Sequence, residues 1–328
     1  MLDKLFPFYV LVFLTSTLLT VVFEKLLLPI LKKKAEQPIY EGGPSWHASK
    51  SGTPTMGGLA FSIAYFLSLI PIVFLLYFSS MEKSAISLLL MLLFAIGNAA
   101  IGIIDDLTKL RKKKNAGLTP QEKLIFQFIL ACIYVLLYSR FIEANTVLIF
   151  SFGKIDLGAF YYPLLIITMV GLINSANLTD GIDGLASSVS FSVGVSLFFI
   201  SAALSPELSF ISSALIGISI GFLFFNSYPA KIFMGDTGSL FIGAIVASGS
   251  MIMNNPIVMM FVAGVYVIEC FSVVLQVAVF KVTGKRIFKM APLHHHLEKK
   301  GFSELKICLF AILLTFILSI PAYIFYLP

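Results

Sequence analysis

Ten long apolar stretches, separated by short polar segments, organise the whole chain. They cover, to within a few residues, 5–31, 56–78, 85–104, 123–141, 159–176, 185–204, 210–225, 239–253, 257–281 and 305–327. None alternates apolar with polar residues, which sets aside a membrane β-barrel. About 20 apolar residues in helical form cross a bilayer's hydrocarbon layer. The pattern therefore predicts an all-α polytopic membrane protein, about ten transmembrane helices in one domain, 1–328. The stretches 210–225 and 239–253 are short, as suits helices that tilt little or are shielded by protein. Segment 142–158 carries strand-like runs at 146–152 and 154–157, separated by Gly153, and predicts a small hairpin. Glu269 falls inside the ninth stretch, where an ionisable group marks either a functional site or a structural pair. A break at Glu269 would let this helix lean outward and open a groove for a lipid.

Composition agrees. The chain is 58% hydrophobic and 12% charged, against roughly a quarter charged in soluble domains. A soluble globular protein and a disordered one are both excluded. Net charge is +6, but its distribution says more: 18 of the 23 Lys and Arg fall in one set of alternating loops. These are Lys32–Lys34, Lys50, Lys109, Arg111–Lys114, Lys123, Lys231 and the basic residues of 281–306. The positive-inside bias makes that side cytoplasmic and puts both termini outside, as an even number of crossings requires. The first stretch is too long for a signal-peptide core and has no small-residue cleavage site before Lys32. Cys132, Cys270 and Cys308 lie inside apolar stretches and form no disulfide or zinc pattern.

Five of the seven Asp residues lie at cytoplasmic helix ends: Asp105, Asp106, Asp180, Asp183 and Asp236. The adjacent pair Asp105–Asp106 repels itself unless a cation relieves it. One or two carboxylates, completed by substrate phosphates, are the usual setting for Mg²⁺. A solvated helix end neutralised by the following lysines is the plainer explanation. Asn174-Ser-Ala-Asn177-Leu-Thr-Asp180-Gly-Ile-Asp183-Gly concentrates amides and carboxylates between two apolar stretches. Gly235-Asp236-Thr-Gly-Ser opens the eighth stretch, where free N–H groups suit an anion and Asp236 suits either a metal or the helix cap. Lys50-Ser-Gly-Thr-Pro-Thr55-Met-Gly-Gly suits phosphate contact but lacks P-loop spacing. His294–His296 are consecutive and point about 100° apart on a helix, so one zinc ion does not readily take all three.

Together these clusters point to phosphoryl chemistry at the cytoplasmic interface. KSGTPTMGG at 50–58, Asp105–Asp106, NLTDGIDGL at 177–185, GDTGS at 235–239 and PLHHHLE at 292–298 stand in the order found in one superfamily. The chain resembles the polyprenyl-phosphate N-acetylhexosamine-1-phosphate transferases, and KSGTPTMGG and PLHHHLE select their muramoyl-pentapeptide branch. The resemblance implies a Mg²⁺-dependent enzyme of the bacterial inner membrane, at the first membrane step of peptidoglycan synthesis. It implies transfer of phospho-MurNAc-pentapeptide from UDP-MurNAc-pentapeptide to undecaprenyl phosphate, giving lipid I and UMP. It implies Asp236 as the Mg²⁺ ligand, Asp105 and Asp106 as the catalytic pair, and His294, His295 and His296 as a catalytic loop. Substrate contacts are implied for Lys50, Thr55, Lys109, Asn174, Asn177, Asp180, Asp183, Asn226 and Phe233, the last stacking on uracil. The expected partners are the lipid bilayer and a second copy in a homodimer, with no nucleic acid. Two other readings are a sister transferase acting on UDP-N-acetylglucosamine and a secondary transporter. The histidine loop opposes the first; surface carboxylates and the lack of repeated halves oppose the second.

Overall fold

The computed structural model describes residues 2–35, 50, 52–112, 117–142, 146–201 and 205–326. Lys113 and Lys114 of the expected basic rim lie outside them. In chain order the elements are α1 (Leu2–Lys34), α2 (Gly58–Phe78), α3 (Glu82–Lys112), α4 (Pro120–Ile142), β1 (Val147–Phe150), β2 (Gly153–Asp156), α5 (Tyr161–Thr179) and α6 (Leu185–Ser201). Then come α7 (Pro206–Asn226), α8 (Gly235–Ile252), α9 (Pro256–Val262), α10 (Gly264–Thr283), α11 (Leu293–Glu298) and α12 (Glu304–Tyr326). Among the described residues nine helices are long and apolar enough to cross a membrane; α6 is apolar but shorter. The chain is a polytopic membrane protein. In hydrocarbon every backbone N–H and C=O must find a partner within the chain, and a helix supplies them all locally.

Two boundaries depart from the apolar pattern in ways that matter. Helix α3 runs beyond its apolar stretch to Lys112, so Asp105, Asp106 and Lys109 sit on helix rather than in a loop. The ninth stretch is two helices, broken at Ala263 and not at Glu269. Gly264 follows the break because Leu318 of α12 packs where its side chain would be, 2.7 Å from an added Cβ. Glu269 lies in regular helix and is buried. After Ser272, α10 leaves the packed body, with Val274, Leu275, Val277 and Phe280 exposed.

Lipid tails are as apolar as leucine, so helices associate here through close packing, and small residues permit it. On α7, Gly217 and Gly221 face α1: a Cβ at either would lie 2.6 Å from the Phe13 carbonyl oxygen or 2.9 Å from that of Thr17. Helix α8 is the central post, buried continuously from Thr237 to Met251. Three neighbours seat on it through glycine. Gly58 of α2 meets Gly238, Ile173 of α5 meets Gly243, and Gly102 of α3 meets the Asp236–Thr237 backbone.

The hairpin forms as expected, with Phe150 opposite Gly153 and a two-residue turn. Asn254 and Asn255 donate to the carbonyls of Val147 and Ile149, each at 3.0 Å. That end of α8 is opposite to the one carrying Asp236.

Candidate active site

The C-terminal part of α3 and the first turn of α8 meet because Gly102 carries no side chain. An added Cβ would lie 2.5 Å from both the Asp236 carbonyl carbon and the Thr237 nitrogen. This contact puts Asp105 and Asp106, one turn further on, level with the α8 N-terminus. Asp106 then caps that terminus from a different helix. It accepts the N–H groups of Asp236 (3.2 Å) and Thr237 (2.9 Å), and the Thr237 hydroxyl (2.7 Å). Orphan N–H groups at a helix start favour a carboxylate. The local sequence offered Asp236 as the cap; with Asp106 in that role, the Asp236 side chain is released to face its neighbours.

One carboxylate oxygen each from Asp105, Asp106 and Asp236 lies within 4.8 Å of the others. Two ammonium groups stand among them. Lys109 Nζ is 2.6 Å from Asp105 Oδ2 and 3.3 Å from Asp236 Oδ1. Lys123 Nζ is 3.2 Å from Asp105 Oδ1 and forms an ion pair with Asp236 Oδ2. Asp105 Oδ1 also accepts the Leu118 N–H at 2.7 Å. Three carboxylates against two lysines leave net negative charge in a largely buried site. Three hard oxygen donors at this separation fit a Mg²⁺ ion.

A second wall comes from the end of α5. Asn177 donates to Asp236 Oδ1 (3.1 Å) and to the Ser239 hydroxyl (2.7 Å). Asp180 ends that helix. Burial, and then the charges of Asp236, Asp106 and Asp183, push its carboxyl well above the usual range. Asp183 lies in a three-way ion pair: Lys50 Nζ is 2.7 Å from its Oδ1 and 2.8 Å from Glu304 Oε2. Burial works against the charged Lys50, but its hydrogen bonds and ion pairs with Asp183 and Glu304 prevail and hold the ammonium above its ordinary range.

The other sequence-derived residues divide. Thr55 Oγ1 is buried without a hydrogen-bond partner, and it and Asp106 flank Gly235: an added Cβ there would lie 2.7 and 2.6 Å from their oxygens. Phe233 is half-buried, its backbone bonded to Pro54 and Gly57. Asn174 donates to Gln127 (2.6 Å) and to the Val170 carbonyl (2.8 Å). Asn226 is buried and clamps two loops, accepting the Gly184 N–H and donating to the Ile232 carbonyl. Its amide thus organises the site's frame.

The three histidines serve different contacts, as their adjacency demands. His294 is fully buried, with Nδ1 3.1 Å from Glu269 Oε2, and its ring lies where Gly181 has no side chain. Glu269 is thereby a structural pair that ties α10 to the histidine loop and, through it, to the 180–184 turn. His295 Nδ1 is 2.7 Å from Glu298. His296 Nδ1 accepts the Lys289 N–H (3.0 Å). Burial and then Lys300 and Lys289 hold its pKa below the usual value.

Sequence reasoning counted Lys123 only as one of the cytoplasmic charges, and overlooked Thr237 and Glu304. A lysine at the very start of an apolar stretch was a signal for Lys123. Nothing in the local sequence marks Glu304.

Comparison with known proteins accords with this arrangement. The model for glycosyl transferase family 4 matches residues 88–254, and phospho-N-acetylmuramoyl-pentapeptide-transferase signature 1 matches residues 50–61. Three similar proteins carry the name phospho-N-acetylmuramoyl-pentapeptide-transferase. That of Halalkalibacterium halodurans is 42% identical over 89% of each chain. That of a Thermoanaerobacter species is 43% identical over 85% of this chain and 86% of its own. That of Clostridium perfringens is 40% identical over 92% and 91%. The glycine-seated carboxylate cluster thus belongs to a membrane transferase of glycosyl transferase family 4, and the chain is a member of its phospho-N-acetylmuramoyl-pentapeptide-transferase family.

Proposed function

We propose that the protein transfers phospho-MurNAc-pentapeptide from UDP-MurNAc-pentapeptide to undecaprenyl phosphate, giving lipid I and UMP, at the cytoplasmic face of the bacterial inner membrane. The observation that carries this reading is the meeting of Asp105, Asp106 and Asp236 with Lys109 and Lys123 at one end of the helix bundle. The same end holds the α6 and α12 N-termini, and with them Asp183, Lys50 and Glu304. A lipid phosphate reaches only the edge of the bilayer, and a sugar nucleotide only the aqueous side. A helix-end site serves both.

The chemistry asks for little beyond position and charge control. An oxygen of the lipid phosphate attacks the β-phosphorus of the UDP-sugar. The bond from that phosphorus to the bridging oxygen breaks, and its electron pair leaves with UMP. Asp105 and Asp236 orient the incoming phosphate's surroundings through the two lysines they hold. Lys109 and Lys123 are placed to turn toward phosphate oxygens as charge shifts to the leaving group. Asp106 keeps the α8 N-terminus, and so Asp236, in place. Mg²⁺, held by Asp236 with Asp105 alongside, would supply charge neutralisation for the pyrophosphate. Asn177, Asp180 and Thr55 would meet the nucleotide, with Phe233 stacking on uracil.

The test is UMP release by purified protein given undecaprenyl phosphate and either UDP-MurNAc-pentapeptide or UDP-N-acetylglucosamine, with and without Mg²⁺. Release only with the muramoyl substrate and Mg²⁺ is expected, together with loss of turnover in folded Asp236→Asn. Release only from UDP-N-acetylglucosamine, or near-normal turnover in that variant, overturns the reading.

A further inference from the structure

Lys50 is the only basic side chain that the KSGTPTMGG segment contributes, and two acids hold its ammonium. One, Asp183, comes from a motif already singled out. The other, Glu304, is the first residue of α12, far away in sequence and outside every motif. A single atom, Glu304 Oε2, receives both the Lys50 ammonium at 2.8 Å and the Asp183 backbone N–H at 2.7 Å. Asp183 in turn accepts the Ala230 N–H at 2.9 Å and the Lys50 ammonium at 2.7 Å. Glu304 therefore joins four segments: the loop before α2, the α5–α6 turn, the α7–α8 loop and the start of α12. Its side chain is 10% exposed. It also borders an open cavity of about 460 Å³ shared with Tyr228, Glu298, Lys299, Phe302 and Ser303.

We infer that Glu304 is a positioning residue for the nucleotide end of the transferase site: it fixes where the Lys50 ammonium stands and how the 180–184 turn presents Asp183. This rests on the functional reading above and adds a residue to it. Three features separate the role from general packing. The carboxylate makes charge-assisted bonds, which are the strong and geometrically demanding kind. Both partners lie in segments assigned to the substrate. Lys50 with Asp183 alone would keep one anchor and lose the second that defines its direction. Glu304 touches no reacting atom and acts through Lys50, so its removal should weaken binding of the sugar nucleotide while leaving the phosphoryl step largely intact.

The test uses the full-length protein in detergent, with UMP release measured over a range of each substrate. In Glu304→Gln, KM for UDP-MurNAc-pentapeptide should rise about tenfold, which corresponds to about 1.4 kcal/mol, and kcat should stay within about threefold. KM for undecaprenyl phosphate should not move. The double variant Lys50→Gln/Glu304→Gln should bind the nucleotide little worse than Lys50→Gln alone, because the glutamine amide oxygen can still accept the Asp183 N–H and the ammonium that needs the carboxylate's charge is already gone. Glu304→Asp keeps the charge one methylene short and should lie between wild type and Glu304→Gln. It also serves if the glutamine variant does not fold. An unchanged KM in the folded variants, multiplying effects in the double variant, or equal changes for both substrates would overturn the inference. Wild-type protein that releases no UMP would instead reject the functional reading itself.

Discussion

Gly102→Ala adds one methyl group, touches no ionisable side chain, and should still disable the site. The added Cβ would lie 2.5 Å from the Asp236 carbonyl carbon and from the Thr237 nitrogen. Ordinary contact is about 3.5–4.0 Å, so α3 and α8 must separate by roughly 1 Å at the level where Asp106 caps α8. Both obstructing atoms are backbone, so no side chain can rotate away. Overpacking of this kind costs about 1–3 kcal/mol, partly offset by the roughly 1 kcal/mol that alanine gains over glycine in a helix. The protein should fold and melt slightly lower. A displacement of about 1 Å in positioned groups costs on the order of a hundredfold in rate, so UMP release should fall by about that factor. Gly171→Ala is the control, since nothing lies within 4 Å of its added Cβ; it should retain full activity. If folded Gly102→Ala turns over within about threefold of wild type, close approach of α3 to α8 is not what builds the site.

Lys123→Met removes an ion pair to Asp105 and another to Asp236; kcat should drop about a hundredfold, with partial recovery in Lys123→Arg. Unchanged kcat in the methionine variant would make Lys123 a bystander. Asp180→Asn tests the raised carboxyl. A carboxyl whose folded pKa lies above its unfolded value gives stability that is complete below about pH 4 and is lost as pH rises. At neutral pH, without metal, Asp180→Asn should therefore melt higher than wild type by about 1–4 °C, and the gap should close near pH 4. A lower melting temperature at neutral pH would refute this. In Asp236→Asn, added Mg²⁺ should no longer raise the melting temperature, a readout independent of turnover; a wild-type-sized rise would shift the metal role to Asp105.

Hydropathy alone fixed much of this protein, because the bilayer admits few backbone solutions: apolar stretches of spanning length must be helices, and among the described residues the ten stretches carry every helix except the short α11. The short hairpin was equally readable, since its strand runs and turn are contiguous. Motif composition marked Asp105, Asp106, Asn177, Asp180, Asp183 and Asp236, because polar groups crowded at helix ends stand out against an apolar background. Which of these meet was a tertiary matter. Gly102 could be recognised as the seat for α8 only once α3 and α8 were placed side by side, and that contact gave the cap to Asp106 and freed Asp236. Lys123 and Glu304 reach the site from helix ends distant in sequence, so no local spacing announces them. The interruption at Ala263 was hidden because both sides of it are apolar. A single chain records what each segment buries; it does not record which segment supplies the partner, since that depends on close packing among helices far apart along the sequence.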